Sequence, residues 1–145
     1  MRIKQVLAAK PSQDVITVSP DSTVRDLLAL LAEHNVGALV VSGDGAHLEG
    51  IVSERDVVRS LHEDAGALDS HVSTIMTTDV RTCGRDDAVN DLMHVMTEHR
   101  IRHLPVMEGD ELVGIISIGD VVKNRIDELQ FERDQLDSYV HTSQT

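Results

Sequence analysis

Residues 48–58 read LEGIVSERDVV, and residues 112–122 read LVGIISIGDVV. In both stretches an apolar run ends at a serine, and an aspartate follows three residues later. An apolar run of this length after a glycine is typical of a buried strand, whereas the Ser-x-x-Asp spacing is typical of the first turn of a helix. We therefore expect a strand to pass directly into a helix at Ser53 and again at Ser117.

The two stretches belong to a longer internal repeat. At an offset of 65 residues, residues 19–41 align with residues 84–106, so that Asp26 meets Asp91 and most apolar positions coincide. One residue then drops out of the following loop, and the offset becomes 64 for the two stretches quoted above. So many matches in two registers indicate a duplication, and we expect the two halves to fold alike.

Each half has the pattern of strand, helix, strand, strand and helix. The first helix of each half has an apolar stripe at helical spacing, beginning at Val24 or Val89, and Thr23 resembles the start of a capping box. The predicted strands cover residues 15–18, 37–41 and 48–52 in the first half and residues 80–83, 102–106 and 112–116 in the second. Because neither half has much core of its own, the sequence predicts an α/β (α+β) fold whose two repeats pack sheet to sheet as a pseudo-two-fold pair.

This pattern resembles the CBS-domain family. The resemblance is carried by Leu48 to Asp56 and Leu112 to Asp120, and it is supported by VSTIMT at residues 72–77 and RHLPV at residues 102–106. Two copies in the same order over residues 6–126 resemble a tandem CBS pair, the Bateman module of small stand-alone proteins. The resemblance implies a regulatory module that binds adenosine derivatives, such as AMP, ATP, NAD or S-adenosylmethionine, in two clefts between the repeats.

The repeat also predicts the domain organisation. We expect a first CBS domain at residues 1–64, a linker at residues 65–71, a second CBS domain at residues 72–126 and a C-terminal helix at residues 127–145.

The Ser-x-x-Asp junctions are the first candidate binding residues. The N–H groups at a helix start favour a phosphate, and the Ser53 and Ser117 hydroxyls add a donor. The carboxylates of Asp56 and Asp120 can accept hydrogen bonds from both hydroxyls of a ribose, as an acidic residue does in dinucleotide folds. Ser-x-x-Asp is also a capping pattern, and capping alone would explain either copy.

The two clefts are expected to be unequal. Arg102 and His103 match strand positions that contact phosphates in some nucleotide-binding members of the family, whereas Gly37 and Ala38 occupy these places in the first half. Arginine can hold phosphate oxygens with two hydrogen bonds. The alternative for both side chains is a surface ion pair.

Three further positions are weaker candidates. Arg55, whose counterpart is Gly119, could bring positive charge to the other cleft, or it could be a solvated arginine. Ile16 and Arg81 match each other on the first strand, which flanks the adenine or ribose in the family. The alternative for Ile16 is an ordinary core side chain, and the alternative for Arg81 is an exposed arginine on a strand.

The composition limits the classes of partner. The chain has 145 residues with 13 Lys and Arg against 25 Asp and Glu, a net charge of −12 that repels the nucleic-acid backbone. Phe131 and Tyr139 are the two aromatic residues, so there is no stacking platform for single strands. There is neither a run long enough for a membrane helix nor a recognisable secretion signal, and we expect a cytoplasmic protein without membrane or nucleic-acid partners.

No catalytic or metal site is recognisable in the sequence. The single cysteine, Cys83, is expected to be a buried or half-buried thiol. The eight histidines form no HExxH motif, and His34 and His99 are interpreted as residues at equivalent helix ends. We expect no enzyme activity and no metal.

The C-terminal helix carries a short heptad seam. From Val122 onward, apolar residues recur in steps of four and three at Ile126, Leu129, Leu136 and Val140, with Arg133 in the single gap. This seam favours a homodimer contact over a helix that folds onto its own domain.

The sequence therefore favours a sensor of an adenine nucleotide, AMP, ATP or NAD(H), that regulates a separate target protein. The alternative is a protein-interaction regulator, for example of a redox partner such as thioredoxin, with vestigial clefts. A weak enzyme acting on a nucleotide is the third interpretation.

Overall fold

The computed structural model describes residues 1–11 and 14–143, and the last two of these by their backbone alone. Residues 144–145 of the predicted C-terminal helix lie outside the described residues. The helices and strands, in chain order, are α1 Ile3–Ala8, β1 Thr17–Val18, α2 Val24–His34, β2 Ala38–Val41, β3 Gly50–Ser53, α3 Glu54–Glu63, α4 Val89–His99, β4 His103–Glu108, β5 Glu111–Ser117 and α5 Ile118–Ser143. Two short 3-10 helices, Ala65–Asp69 and Val72–Thr74, follow α3.

The sheet of the first half has the order β1-β2-β3. Strand β1 runs parallel to β2, with Thr17 opposite Val40, and β2 runs antiparallel to β3, with Leu39 opposite Val52. The predicted strand at residues 15–18 is shorter than expected, because only Thr17 and Val18 join the ladder. This half has the predicted order of strand, helix, strand, strand and helix.

The second half has a two-stranded sheet of β4 and β5. The predicted strand at residues 80–83 is wrong as a strand, since its only ladder contact is a parallel bridge between Cys83 and Val106. The Cys83 N–H donates to the Pro105 carbonyl at 3.0 Å, and the Cys83 carbonyl accepts from Met107 at 2.8 Å. The Gly84 N–H already donates to the Asp87 carboxylate at 2.8 Å, so a turn begins before a second rung can form.

Helices α2 and α4 start differently and end alike. Thr23 and Asp26 exchange hydrogen bonds of 3.2 Å in the predicted capping box of α2, whereas Ala88 gives α4 no side-chain cap. Both helices end on a residue in the left-handed region, Asn35 with φ of 52° and Arg100 with φ of 55°. Asparagine tolerates this region better than arginine does.

Each half has its own apolar core, but the segment that leads into each half packs into the other core. Ile3 and Val6 of α1 are buried in the core of the second half, next to Leu104 and Ile116. Val72 is buried in the core of the first half, with Met76 packed against it. We call residues 3–10 and 72–77 the lead-in segments, and they are exchanged between the halves.

Two equivalent glycines make room for this exchange. A Cβ on Gly114 would lie 2.8 Å from Leu7 Cδ2, and a Cβ on Gly50 would lie 2.8 Å from the Thr77 carbonyl oxygen. Both distances are too short for a real contact, so a side chain at Gly50 would have to displace the Thr77 backbone, and one at Gly114 would have to displace the end of the Leu7 side chain.

The halves pack against each other through their sheets, as predicted. In β2 every residue is buried: Leu39 and Val41 face the core of the first half, and the alternating residues Ala38 and Val40 face the other way. The Leu112 N–H donates to the Ala46 carbonyl at 2.8 Å across the junction of the two halves. The segment predicted as a linker is itself packed, since Ala67 is buried.

Candidate functional site

Both strand-to-helix junctions form capping boxes. The Ser53 N–H donates to Asp56 Oδ2 at 2.8 Å, and the Asp56 N–H donates to Ser53 Oγ at 3.4 Å. In the second half the Ser117 N–H donates to Asp120 Oδ2 at 3.0 Å, and the Asp120 N–H donates to Ser117 Oγ at 3.1 Å. The capping alternative is therefore present at both junctions, and each carboxylate is turned toward the start of its own helix.

Asp120 has a second partner that the sequence did not indicate. The Lys10 ammonium lies 3.0 Å from Asp120 Oδ2 and donates to the Ile115 carbonyl at 2.9 Å. Both side chains of the ion pair are about a quarter exposed. Lys10 reaches this position because the lead-in segment at residues 3–10 crosses to the second half, so 110 residues separate the two partners in the chain.

These contacts keep Asp120 ionised. Burial alone would raise its pKa, but the Ser117 N–H and the Lys10 ammonium outweigh burial and lower the pKa below its ordinary value. Both hydrogen bonds use Oδ2, so Oδ1 has no hydrogen bond among the described residues. A bound hydroxyl group could therefore be accepted by this carboxylate.

His103 lies beside the same cluster. It is half-buried, and burial lowers its pKa, with Lys10 and Arg102 acting in the same direction and Asp120 opposing them. A Cβ on Gly37 would lie 3.6 Å from His103 Cε1, so the His103 ring lies close to the Gly37 backbone of the first half. The Arg102 side chain is exposed, and its carbonyl accepts the Ile118 N–H at 2.8 Å at the start of α5.

Two small openings lie on either side of Lys10. One, of about 20 Å³, is lined by Lys10, Asp14, Val15 and Ile115 among others. The other, a groove of about 130 Å³, lies between α1 and α5 and includes Asp120. Lys10 borders both openings.

The remaining candidate residues, Ile16, Arg55 and Arg81, are less concentrated. Ile16 is partly buried and packs against the core of the first half. Arg55 and Arg81 are exposed, and neither forms an ion pair within the described part of the chain. Of the nine candidate residues, the structure thus groups Ser117, Asp120 and His103 closely, with Arg102 at the edge of this cluster.

Cys83 is buried, as expected from the sequence. Burial and the nearby Asp87 carboxylate raise the pKa of its thiol to about 12. The thiol therefore stays protonated and has little nucleophilic character.

The fold is a tandem domain pair. Its two α/β repeats contact each other through their sheets, and each repeat has a Ser-x-x-Asp junction. The family model described as "CBS domain" matches residues 3–63 and residues 72–127. The chain belongs to the CBS-domain family.

Relatives and solved structures agree with this assignment. The CBS-domain containing protein ATU1752 from Agrobacterium tumefaciens is 40% identical with a TM-score of 0.82, and the match covers 86% of this chain and 99% of that one. The CBS domain protein PAE2072 from Pyrobaculum aerophilum, crystallised with AMP, is 28% identical with a TM-score of 0.72, over 83% and 89% of the two chains. The mitochondrial protein CBSX3 of Arabidopsis thaliana is 37% identical over 125 residues, which are 83% of this chain and 61% of CBSX3.

The described residues form neither a membrane-spanning helix nor a cluster of metal ligands. None of the helices between residues 1 and 143 has the length and apolar content needed to cross a membrane. No group of three or more histidine, cysteine or acidic side chains in the described ranges has a metal-binding arrangement.

Proposed function

We propose that this chain is a regulatory, non-catalytic sensor of an adenine nucleotide, AMP, ATP or NAD(H), and that its better cleft is the one at Asp120. The observation that carries the proposal is the Asp120 carboxylate, ionised at the start of α5 and in contact with Lys10 of the exchanged lead-in segment. A relative that is 28% identical was crystallised with AMP, which supports an adenosine ligand.

The chemistry around Asp120 matches the parts of a nucleotide. The ribose hydroxyls would donate to the Asp120 carboxylate, and the adenine would lie between aliphatic side chains such as Val15 and Ile115. The phosphate would lie near the N-terminus of α5, where backbone N–H groups and the Ser117 hydroxyl can donate. Arg102 and His103 would add positive charge there, because a phosphate raises the pKa of a neighbouring histidine.

Lys10 makes binding a conformational event. A ribose that donates both of its hydroxyls to Asp120 uses Oδ1 and Oδ2, and the hydroxyl at Oδ2 competes with the Lys10 ammonium, so a bound nucleoside displaces Lys10 from Asp120. Lys10 follows directly after α1, whose residues Ile3 and Val6 are anchored in the second core. A displaced Lys10 therefore changes how the lead-in segment packs, and a partner protein can recognise the two arrangements. The nucleotide shifts their populations only by its differential affinity.

The cleft at Asp56 would be the weaker one. Gly37 and Ala38 provide no cation at the positions of Arg102 and His103, and Arg55, Arg81 and Ile16 are the candidate side chains that remain. We propose that this cleft binds with lower affinity or takes a less charged ligand.

The proposal includes a cellular setting. We propose a cytoplasmic homodimer that acts on a separate target protein and takes neither nucleic acid nor membrane as a partner. The excess of acidic residues supports the proposal that nucleic acid is not a partner.

A second candidate function has its own support. Both Ser-x-x-Asp junctions are satisfied as capping boxes, and Lys10 occupies the space beside Asp120. These contacts fit a protein-interaction regulator, for example of a redox partner such as thioredoxin, whose clefts stay unoccupied.

A thermal-shift screen separates the two functions. AMP, ATP, NAD, NADH and S-adenosylmethionine would each be added at millimolar concentration, with guanosine monophosphate as the control for unspecific stabilisation. A ligand at 100 times its Kd stabilises a protein by about 2.7 kcal/mol, which is readily measured as a rise in Tm. Stabilisation by an adenosine compound supports the sensor, and its absence with all five favours the interaction regulator.

A further inference from the structure

Helix α5 exposes an apolar stripe along its length. Val122, Ile126, Leu129, Leu136 and Val140 are between 42% and 62% exposed, and they recur in steps of four and three residues with Arg133 in the gap. We call these six residues the α5 seam. Helical residues at this spacing pack against a second helix with the same spacing.

We infer that the α5 seam pairs with the α5 seam of a second copy of this chain, and that the two helices run antiparallel. The inference rests on the homodimer proposed above, and it is independent of nucleotide binding.

A parallel pair brings like charges together. In a parallel pair every seam residue meets its own copy, so the guanidinium of Arg133 faces that of the other Arg133 inside the apolar seam. Glu132 and Asp137 flank the seam five residues apart, at the two positions that face each other between parallel helices. This acidic contact occurs twice by symmetry, so the parallel arrangement contains three repulsive contacts.

An antiparallel pair centred on Phe131 removes these contacts. Ile126 then packs on Leu136 of the second copy, and Leu129 packs on the aliphatic stem of Arg133 while the guanidinium reaches water. Lys123 of each copy faces Asp137 of the other, which gives two attractive pairs. One Glu132 faces its own copy, a single repulsive contact against three in the parallel pair.

The length of α5 permits this arrangement. Its 26 residues span about 39 Å. Two antiparallel helices of this length place the two domain bodies at opposite ends of the helix pair.

The first test measures the mass of the chain in dilute solution. We expect the full chain to be a dimer and a chain that ends at Asp127 to be a monomer, because most of the seam is then missing. A monomeric full chain would overturn the homodimer and this inference together. A dimer that persists after the truncation would overturn the seam and leave the homodimer in place.

The second test determines the polarity by disulfide trapping. A tagged Ile126→Cys chain is mixed with an untagged Leu136→Cys chain and oxidised, with Asp134→Cys on the opposite helix face as the control. We expect the mixed pair to cross-link and each single variant to remain uncross-linked. The native thiol interferes little, since Cys83 is buried with its pKa raised to about 12. Self-cross-linking of Ile126→Cys would instead establish a parallel pair.

The third test exchanges charges. Lys123→Glu should raise the dimer Kd about tenfold, since it turns two attractive pairs into repulsive ones, and Lys123→Glu with Asp137→Lys should restore it. In a parallel pair Lys123 faces the apolar Ile118, so the single substitution would leave the Kd unchanged. That outcome would refute the antiparallel arrangement even if the cysteine variants fold poorly.

Discussion

At the scale of single residues, the two equivalent aspartates differ in their surroundings. Asp56 and Asp120 both cap their own helices, but only Asp120 also holds a lysine and lies near a histidine. A cation next to a carboxylate keeps the carboxylate ionised, and a cation near a bound phosphate offsets the negative charge of the phosphate. The two aspartates, although equivalent in the repeat, therefore differ in the positive charge that surrounds them.

Asp120→Ala should weaken AMP binding more than Asp56→Ala. Hydrogen bonds to a charged group contribute about 1.5–3 kcal/mol, so the loss at Asp120 corresponds to about 10-fold to 100-fold in Kd. Isothermal titration calorimetry on both variants measures it. Each substitution removes the carboxylate of a capping box, so the loss of the helix cap is matched between the two variants. Equal or reversed losses would contradict the assignment of the better cleft.

Lys10→Ala should bind adenosine about fivefold more tightly than the unchanged chain. The lysine competes with the ribose for Asp120, and a partly exposed ion pair of this kind contributes on the order of 1 kcal/mol. Adenosine is the informative ligand because it carries no phosphate for Lys10 to contact. Lys10→Arg keeps the competing charge and serves as the control, and an unchanged or weaker affinity in Lys10→Ala would argue against competition at Asp120.

At the scale of the helices, α2 and α4 are repeats of one element with unequal ends. The first begins at a threonine that caps it and ends at Asn35, which tolerates the left-handed region. The second begins at Ala88 without a side-chain cap and ends at Arg100 in the same backbone conformation. An L-residue with a long side chain is strained there by roughly 1–2 kcal/mol. Helix α4 is therefore the less favourable copy.

Arg100→Gly should stabilise the protein. Glycine adopts a φ of 55° without steric strain, and we expect the free energy of unfolding to rise by about 1 kcal/mol and Tm by about 3 °C. Differential scanning calorimetry measures both quantities. Asn35→Gly is the matched control and should change Tm less, whereas a lower Tm for Arg100→Gly would show that the arginine side chain stabilises the helix end.

At the scale of the whole molecule, the exchanged lead-in segments make the two halves one folding unit. Ile3 and Val6 complete the second core, and Val72 and Met76 contribute to the first. Either half expressed by itself would lack part of its own core. The same exchange brings Lys10 to Asp120, so the connectivity that stabilises the fold also builds the candidate cleft.

Gly50→Ala should destabilise the protein more than Gly114→Ala. The added methyl group at Gly50 meets the Thr77 carbonyl, which is held in place by a 3.0 Å hydrogen bond from the Ile51 N–H. At Gly114 it meets the end of the flexible Leu7 side chain. We expect a loss of about 2–3 kcal/mol at Gly50 and about 1 kcal/mol at Gly114, measured by urea unfolding.

A second-site variant tests the cause of the loss at Gly114. In a background of Leu7→Ala, the Gly114→Ala substitution should cost almost nothing, because the obstructing methyl groups are gone. If Gly114→Ala is equally costly with and without Leu7, the contact with the lead-in segment is not the reason for the glycine.

The sequence by itself determined the duplication, the order of most elements and the two Ser-x-x-Asp junctions. These features were predictable because periodicity and capping depend on residues within about one helical turn of each other. The strand predicted at residues 80–83 was wrong, since a ladder also needs a partner that stays in register, and the turn at Gly84 ends that register.

Only the tertiary structure decided which core each lead-in segment enters. Leu7 and Met76 are apolar residues that fit either core, and apolar burial has no direction that a local pattern could reveal. Gly50 and Gly114 were visible as parts of the repeat, but their purpose depends on segments that lie far away in the chain. The contact of Lys10 with Asp120 follows from the same packing, because it joins residues 110 positions apart that only the fold brings together.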